Sequence, residues 1–161
     1  MSRRYEGGML AQKLLVITDA WTPQTNGVVT TLRNVAECLI EAGLDVEIVH
    51  GGLFHTWPLP TYPEIRIARD PWFMKQILKE VRPDYVHVAT EGPLGMYARV
   101  LLKKLGVPFT TSVHTKFPEY VHKRIRLPLA VGYRILNWFH APAVRTLCTT
   151  MSHKLELESW G

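Results

Sequence analysis

The run Lys13-Leu14-Leu15-Val16-Ile17-Thr18 sets the architecture expected of this chain, because it is apolar without interruption from Leu14 to Ile17. Such a run is typical of a strand buried on both faces of a parallel sheet. A turn with Asn26 and Gly27 follows, and apolar residues then recur on one helix face at Val28, Leu32, Val35, Ala36 and Leu39. Another strand-like run occupies residues 45–50. The pattern predicts a strand–turn–helix–strand unit whose helix N-terminus favours an anionic ligand.

Four more runs are typical of strands, at residues 64–68, 84–90, 109–113 and 147–150. Helical patterns separate most of them, and Ser152 is predicted to cap a last helix. The three prolines of residues 51–63 predict an extended connection there. Strands that alternate with helices predict an α/β fold, a Rossmann-like open parallel sheet of order 3-2-1-4-5-6 with helices on both faces.

Composition and length are those of one globular domain, with 161 residues of which 47% are hydrophobic. We assign residues 1–11 to a flexible leader and residues 12–161 to the Rossmann-like domain. The two cysteines and the scattered histidines predict neither a disulfide framework nor a metal site. No apolar run approaches the ~20 residues of a membrane span, and no signal peptide is visible. A cytoplasmic location is therefore expected.

The net charge of +5 is unevenly distributed, since nine Lys or Arg and a single acid, Glu119, lie between Arg99 and Arg145. A local surplus of this kind can attract phosphate, nucleic acid or an anionic bilayer. A basic face that is merely solvated is the alternative interpretation.

Ligands of open parallel sheets bind beyond the carboxyl ends of the strands, near the point where the strand order reverses. Three polar loops are predicted to meet there, at residues 19–27, 91–93 and 114–120. The G-x-G-x-x-G fingerprint, the G-x-x-x-x-G-K-[ST] phosphate loop and the G-x-S-x-G elbow are all missing from the sequence. His114 is the strongest candidate, either as a donor to a sugar hydroxyl or as a packed ring. Glu91 can accept from sugar hydroxyls or can cap the helix that follows it.

Three short motifs occur in order, each at a predicted strand end: Thr25-Asn26-Gly27-Val28, Thr90-Glu91-Gly92-Pro93 and Ser112-Val113-His114-Thr115. Together they resemble the amino-terminal domain of retaining glycosyltransferases of the family 4 type, which have the two-domain GT-B fold. Residues 61–66 and 114–120 are similar to the α-mannosyltransferase and sulfolipid-synthase branch. The resemblance extends over residues 13–161.

The resemblance implies a nucleotide-sugar donor bound between two Rossmann-like domains, with this domain on the side of a lipid or glycan acceptor. It implies that His114 is a catalytic residue near the transferred sugar. The Gly27 N–H would face the donor phosphate or the reaction centre, and Asn26 stands where the family often has another glycine. The other donor- or acceptor-binding residues are then Glu91, Thr115, Lys116, Tyr120 and Arg124.

The resemblance also implies a carboxyl-terminal donor domain, with an Arg/Lys pair and two Glu separated by seven residues, and no two Glu of this chain have that spacing. We therefore expect this chain to be inactive alone, as one half of an enzyme that transfers a hexose, mannose by this resemblance, with retention. No metal, cofactor or nucleic acid is expected, and residues 116–126 are expected to contact an anionic membrane at its inner face. The alternative is a non-catalytic Rossmann-like module that binds a nucleotide, a sugar phosphate or an anionic membrane.

Overall fold

A computed structural model describes residues 4–5, 8–9, 11–59, 62–114, 118–119, 122–123 and 126–159. The strands of the described ranges are β1 (Arg4–Tyr5), β2 (Gly8–Met9), β3 (Lys13–Thr18), β4 (Asp45–His50), β5 (Thr56–Leu59), β6 (Tyr62–Ala68), β7 (Tyr85–Val88), β8 (Thr110–Val113) and β9 (Arg145–Cys148). The helices are α1 (Gly27–Glu41), α2 (Phe73–Val81), α3 (Pro93–Leu105), α4 (Leu129–His140) and α5 (Met151–Ser159). Within these ranges, none of the helices has the length and apolar character needed to cross a membrane.

Five parallel strands form the central sheet, in the order β4-β3-β7-β8-β9. Strand β3 lies in the interior of the sheet, as its apolar run predicts, and Leu15 and Ile17 are fully buried. The α/β class and the parallel Rossmann-like sheet are confirmed. The short strands β1 and β2 pair with each other in antiparallel fashion, within the segment predicted as a leader.

The predicted third strand is not part of this sheet, so the order 3-2-1-4-5-6 is wrong at that position. Strand β6 pairs instead with β5, antiparallel, in a separate sheet of two strands. A parallel pairing with β4 would need a long crossover, usually a helix. Residues 51–61 contain only the 3₁₀ turn Gly51–Leu53 and β5 among the described residues, so the chain folds back on itself.

Helices cover both faces of the sheet. Alternate residues of β3 point to opposite faces, so this one strand contributes apolar side chains to the core on each side. Leu15 and Ile17 pack in the larger core cluster with Leu94 and Ala98 of α3 and Phe139 of α4. Val16 packs on the other face with Leu32 of α1 and with Ala89.

The last helix begins differently from its prediction. Helix α5 starts at Met151, and the Thr150 hydroxyl accepts a hydrogen bond from the His153 N–H at 3.2 Å. Ser152 therefore lies inside the helix, and Thr150 has the capping role. Both residues are good caps, and which one precedes the first helical residue is decided by where β9 ends.

Candidate functional site

Three neighbouring strands deliver the candidate loops to one rim of the sheet. Strand β3 pairs with β7, and β7 pairs with β8, all in parallel register. Their carboxyl ends therefore lie side by side, and the chain continues from them into Asp19, Glu91 and His114 respectively. This is the position that open parallel sheets use for ligands.

Asp19 joins the first two loops and was not predicted as a site residue. Its carboxylate accepts hydrogen bonds from the N–H groups of Leu94 and Gly95 at 2.8 and 3.1 Å, and from the Thr90 hydroxyl at 3.0 Å. Burial raises the pKa of this carboxyl, while the two backbone hydrogen bonds act in the opposite direction. A Cβ on Gly92 would come within 2.4 Å of the Asp19 Cγ, so glycine is needed at that position. The N-terminus of α3 is thus occupied by a carboxylate of the protein itself.

The N-terminus of α1 is capped by a neutral side chain. The Asn26 side-chain oxygen accepts from the Val29 N–H at 3.0 Å, and Gln24 links this turn to the Asp19 carbonyl at 3.2 Å. A Cβ built on Gly27 would meet no atom of the described residues within 4 Å. Asn26 and Gly27 therefore lie at an open helix end, which suits the approach of an anion.

Glu91 and His140 form a buried pair at the same rim. Their side chains are only 7% and 11% exposed, and Glu91 Oε1 lies 3.5 Å from His140 Nε2. Neither atom has a hydrogen-bond partner among the described residues, so their facing charges or dipoles are the interaction between them. The opposite edge of the ring is fixed, because His140 Nδ1 lies 2.8 Å from the Thr111 hydroxyl. An imidazole in this position can hold the Glu91 carboxylate in the interior.

The helix that carries His140 is tied to α3 by Arg99. The guanidinium donates to the Trp138 carbonyl at 2.6 Å and stacks on the Trp138 ring, with Cζ 3.6 Å from the ring centroid. Such a stack combines a cation–π interaction with the packing of the side-chain stem. Arg99 therefore fixes the carboxyl end of α4 relative to α3, and with it the distance between His140 and Glu91.

His114 lies at the end of β8 and is half-buried. Its Nε2 is 2.8 Å from the Ser112 hydroxyl, which in turn lies 3.1 Å from Nε2 of His87. Burial lowers the pKa of His114, and the carboxylate of Glu91 acts in the opposite direction. Burial, reinforced by the nearby His114, lowers the pKa of His87 to about 4. Both rings are thus neutral around pH 7 and can serve as hydrogen-bonding groups.

The structure brings Glu91 and His114 into electrostatic contact at the rim, and it places Asn26 and Gly27 at the neighbouring helix end. Thr115, Lys116, Tyr120 and Arg124 lie outside the described residues. Sequence reasoning missed Asp19, His87, Ser112 and His140. The described residues contain no group of three His, Cys, Asp or Glu side chains that could hold a metal ion.

A cavity of about 570 Å³ lies between β8, β9, α4 and α5, next to His140. Much of its wall is apolar and comes from Val113, Leu136, Leu147, Met151 and Leu157. A cavity of this size is within the range of small-molecule sites.

The buried ring of His87 predicts a pH-dependent stability. Its pKa of about 4 in the folded chain lies below the ordinary 6.5, so the unfolded chain binds this proton more tightly. We expect the free energy of unfolding that is due to His87 to fall by about 2 kcal/mol between about pH 7 and about pH 5. Denaturant unfolding of the chain and of His87→Gln at both pH values measures the difference. His153→Gln, in α5, is the control, and an equal pH dependence of all three proteins would contradict the assignment.

Comparison with known proteins gives a consistent answer. The sequence profile of the family described as Glycosyltransferase Family 4 matches residues 25–161. The alpha-monoglucosyldiacylglycerol synthase of Streptococcus pneumoniae is 26% identical over an alignment of 148 residues, and the match covers 78% of this chain and 32% of the relative. A protein of the same name from Acholeplasma laidlawii is 25% identical over an alignment of 129 residues, and that match covers 66% of this chain and 31% of the relative.

The chain thus spans about a third of the length of the curated relatives it matches. No solved structure matches it in the corresponding search. The family model covers far more than half of the chain, including all three loops at the rim except the first residues of the Asp19 loop. The chain belongs to glycosyltransferase family 4.

Proposed function

We propose that this chain forms the acceptor-side half of an enzyme that transfers a hexose from a nucleotide sugar to a lipid acceptor, with retention of configuration. A second domain would supply most donor contacts and would complete the cleft. Family membership supports the transfer reaction, and both named relatives are synthases of a glucosylated diacylglycerol. The apolar wall of the cavity beside His140 offers surface of the kind that an acyl chain would contact.

One observation carries the proposal: a buried carboxylate, a neutral imidazole and an open helix N-terminus lie on one rim. Glu91 can accept from sugar hydroxyls, and His114 can hydrogen-bond the transferred sugar. The N–H groups at the start of α1 can meet the donor phosphate. Helix N-termini and basic side chains stabilise a departing diphosphate without a metal ion or another cofactor. The proposed site therefore needs the nucleotide sugar as its only small-molecule partner.

An assay with different nucleotide sugars would identify the sugar that is transferred. The motifs at residues 61–66 and 114–120 favour mannose, whereas both relatives are named for a glucosyl lipid. The complete protein is to be incubated with GDP-mannose or UDP-glucose and diacylglycerol vesicles, and the anomeric configuration of the product is read by NMR. Transfer from either donor with retention supports the proposal. Nucleotide binding without transfer from any donor would favour a non-catalytic binding module instead.

A lipid acceptor places the reaction at a membrane surface, and we propose the inner face as the site. The expected contact is the basic segment of residues 116–126, in which Lys123 and Arg126 are exposed. Cosedimentation of the chain with anionic vesicles should weaken as salt is added, because screening reduces the attraction. Binding that ignored both salt and anionic lipid content would contradict this contact.

Gly27→Ala tests the anion site without disturbing the fold. Since a Cβ there meets no described atom, alanine should raise the free energy of unfolding by about 0.5 kcal/mol through its higher helix propensity. The same methyl group would stand between the helix N-terminus and a phosphate, so the affinity for the nucleotide sugar should fall about tenfold. Calorimetric titration and denaturant unfolding measure the two effects. Unchanged affinity for the nucleotide sugar would contradict a phosphate contact at Gly27, whatever the effect of the substitution on stability.

A further inference from the structure

A chain of hydrogen bonds lies behind His114 on one face of the sheet. The Thr110 hydroxyl is 2.8 Å from His87 Nδ1, and His87 Nε2 is 3.1 Å from the Ser112 hydroxyl. The same Ser112 oxygen is 2.8 Å from His114 Nε2 and 3.2 Å from the Ala89 carbonyl oxygen. Ser112 is thus the common partner of two imidazole rings and one carbonyl group.

The geometry follows from the strand. Thr110, Ser112 and His114 are two residues apart, so they lie on the same face of β8 and its extension. His87 is the register partner of Thr110 on the neighbouring strand, which places its ring between the two hydroxyl groups. Ser112 is buried, with 5% of its surface exposed, so its hydrogen bonds are shielded from water.

The direction of each bond can be deduced. The three contacts of the Ser112 oxygen can all be hydrogen bonds in only one arrangement, because a carbonyl oxygen only accepts: the single Ser112 proton goes to Ala89, and the Ser112 oxygen accepts from both rings. Both rings then carry their proton on Nε2. His87 Nδ1 then has no proton and accepts from the Thr110 hydroxyl at 2.8 Å, because the other acceptor within reach of that hydroxyl, the Val86 carbonyl oxygen, lies at the longer distance of 3.5 Å. In His114 the lone pair of the neutral ring is on Nδ1.

We propose that Ser112 and His87 are positioning residues, which hold His114 as the Nε2–H tautomer and make its Nδ1 a hydrogen-bond acceptor for a substrate hydroxyl. The tautomer is independent of what the protein binds, whereas the substrate part rests on the proposed function. His114 then selects a ligand group that donates a hydrogen bond, so a sugar hydroxyl fits and a phosphate oxygen does not. The burial that keeps both rings neutral supports this arrangement.

The ring tautomers can be read directly by long-range ¹H–¹⁵N NMR on the labelled chain of 18.4 kDa at neutral pH. We expect His87 and His114 of the unmodified chain to show the Nε2–H pattern. Ser112→Ala should shift the tautomer ratio of His114 by about tenfold, the effect of one ordinary hydrogen bond. Ser112→Thr keeps a hydroxyl and should restore the pattern, and Ser152→Ala, an exposed serine of α5, should leave it unchanged.

The results separate this inference from the proposed function. An Nδ1–H pattern for His114 in the unmodified chain would overturn the inference, even if Ser112→Ala failed to fold. A Ser112→Ala spectrum identical to that of the unmodified chain would overturn it as well. If the tautomer responds as expected and the complete protein transfers no sugar from any donor, the positioning role stands and the transferase proposal fails. If transfer occurs, Ser112→Ala should lower kcat more than it raises KM, and Ser112→Thr should recover kcat.

Discussion

Replacing His114 with alanine in the complete protein is expected to lower the rate of the proposed sugar transfer about 100-fold while leaving the melting temperature nearly unchanged. The ring is only half-buried and its partner Ser112 keeps its bond to the Ala89 carbonyl, so the fold loses little. Turnover loses a neutral, preoriented hydrogen-bonding group at the reacting sugar, and the removal of such a group typically costs a factor of about 100. Steady-state kinetics and a thermal melt of the same preparation measure both quantities.

The control is His153→Ala, a histidine of α5 to which the proposed site assigns no role, and this variant should leave turnover unchanged. A large fall in the melting temperature of His114→Ala, with full activity per folded molecule, would mean that His114 is a structural residue. Its carboxylate neighbour Glu91 would then be the better candidate for the sugar contact.

Replacing Asp19 with alanine is expected to lower the free energy of unfolding by about 4 kcal/mol. The substitution leaves the N–H groups of Leu94 and Gly95 and the Thr90 hydroxyl without their acceptor in a buried site. Few substitutions destabilise a protein by so much, and those that leave buried hydrogen-bond donors without an acceptor are among them. Denaturant unfolding followed by circular dichroism measures it.

Asp45→Ala provides the comparison, because Asp45 is an exposed aspartate whose carboxylate lies 3.3 Å from the Lys13 ammonium. An exposed ion pair contributes no more than about 1 kcal/mol. Equal losses for the two variants would show that Asp19 contributes only as a surface charge, and the packing of α3 onto β3 would then need another explanation.

The elements of the sheet were predictable where local chemistry decides them. Three such local signals act over a few residues, and each is confirmed: the apolar run forms β3, Pro93 begins α3, and Gly106 ends α3 with a φ of +67°. The partner of β6 was predicted wrongly because pairing depends on the length of the connection. The residues between β4 and β6 are too few and too rich in proline for a helical crossover, and that signal was present in the sequence.

The site was predictable only in part. The rule that ligands bind at the carboxyl ends of parallel strands correctly brought Glu91 and His114 to one rim. The role of Asp19 was not predictable, because its hydrogen-bond donors, Leu94 and Gly95, are 75 and 76 residues away in sequence. The role of His140 was not predictable either, because it is the last residue of a helix whose other residues are mostly apolar. The alternation of Thr110, Ser112 and His114 along a buried strand is a local sequence signal of the polar network.

The carboxyl group of Asp19 also makes the two ends of the rim different for an anionic ligand. Among the described residues, α1 and α3 begin next to Asp19, and without its carboxyl group the N–H groups at both helix N-termini could bind a diphosphate. Because Leu94 and Gly95 at the start of α3 already donate to Asp19, whereas the start of α1 is capped only by an amide, a diphosphate would bind at α1 in preference to α3. A bound nucleotide sugar would therefore be oriented along the rim, with its phosphates over α1 and its sugar ring directed toward Glu91 and His114.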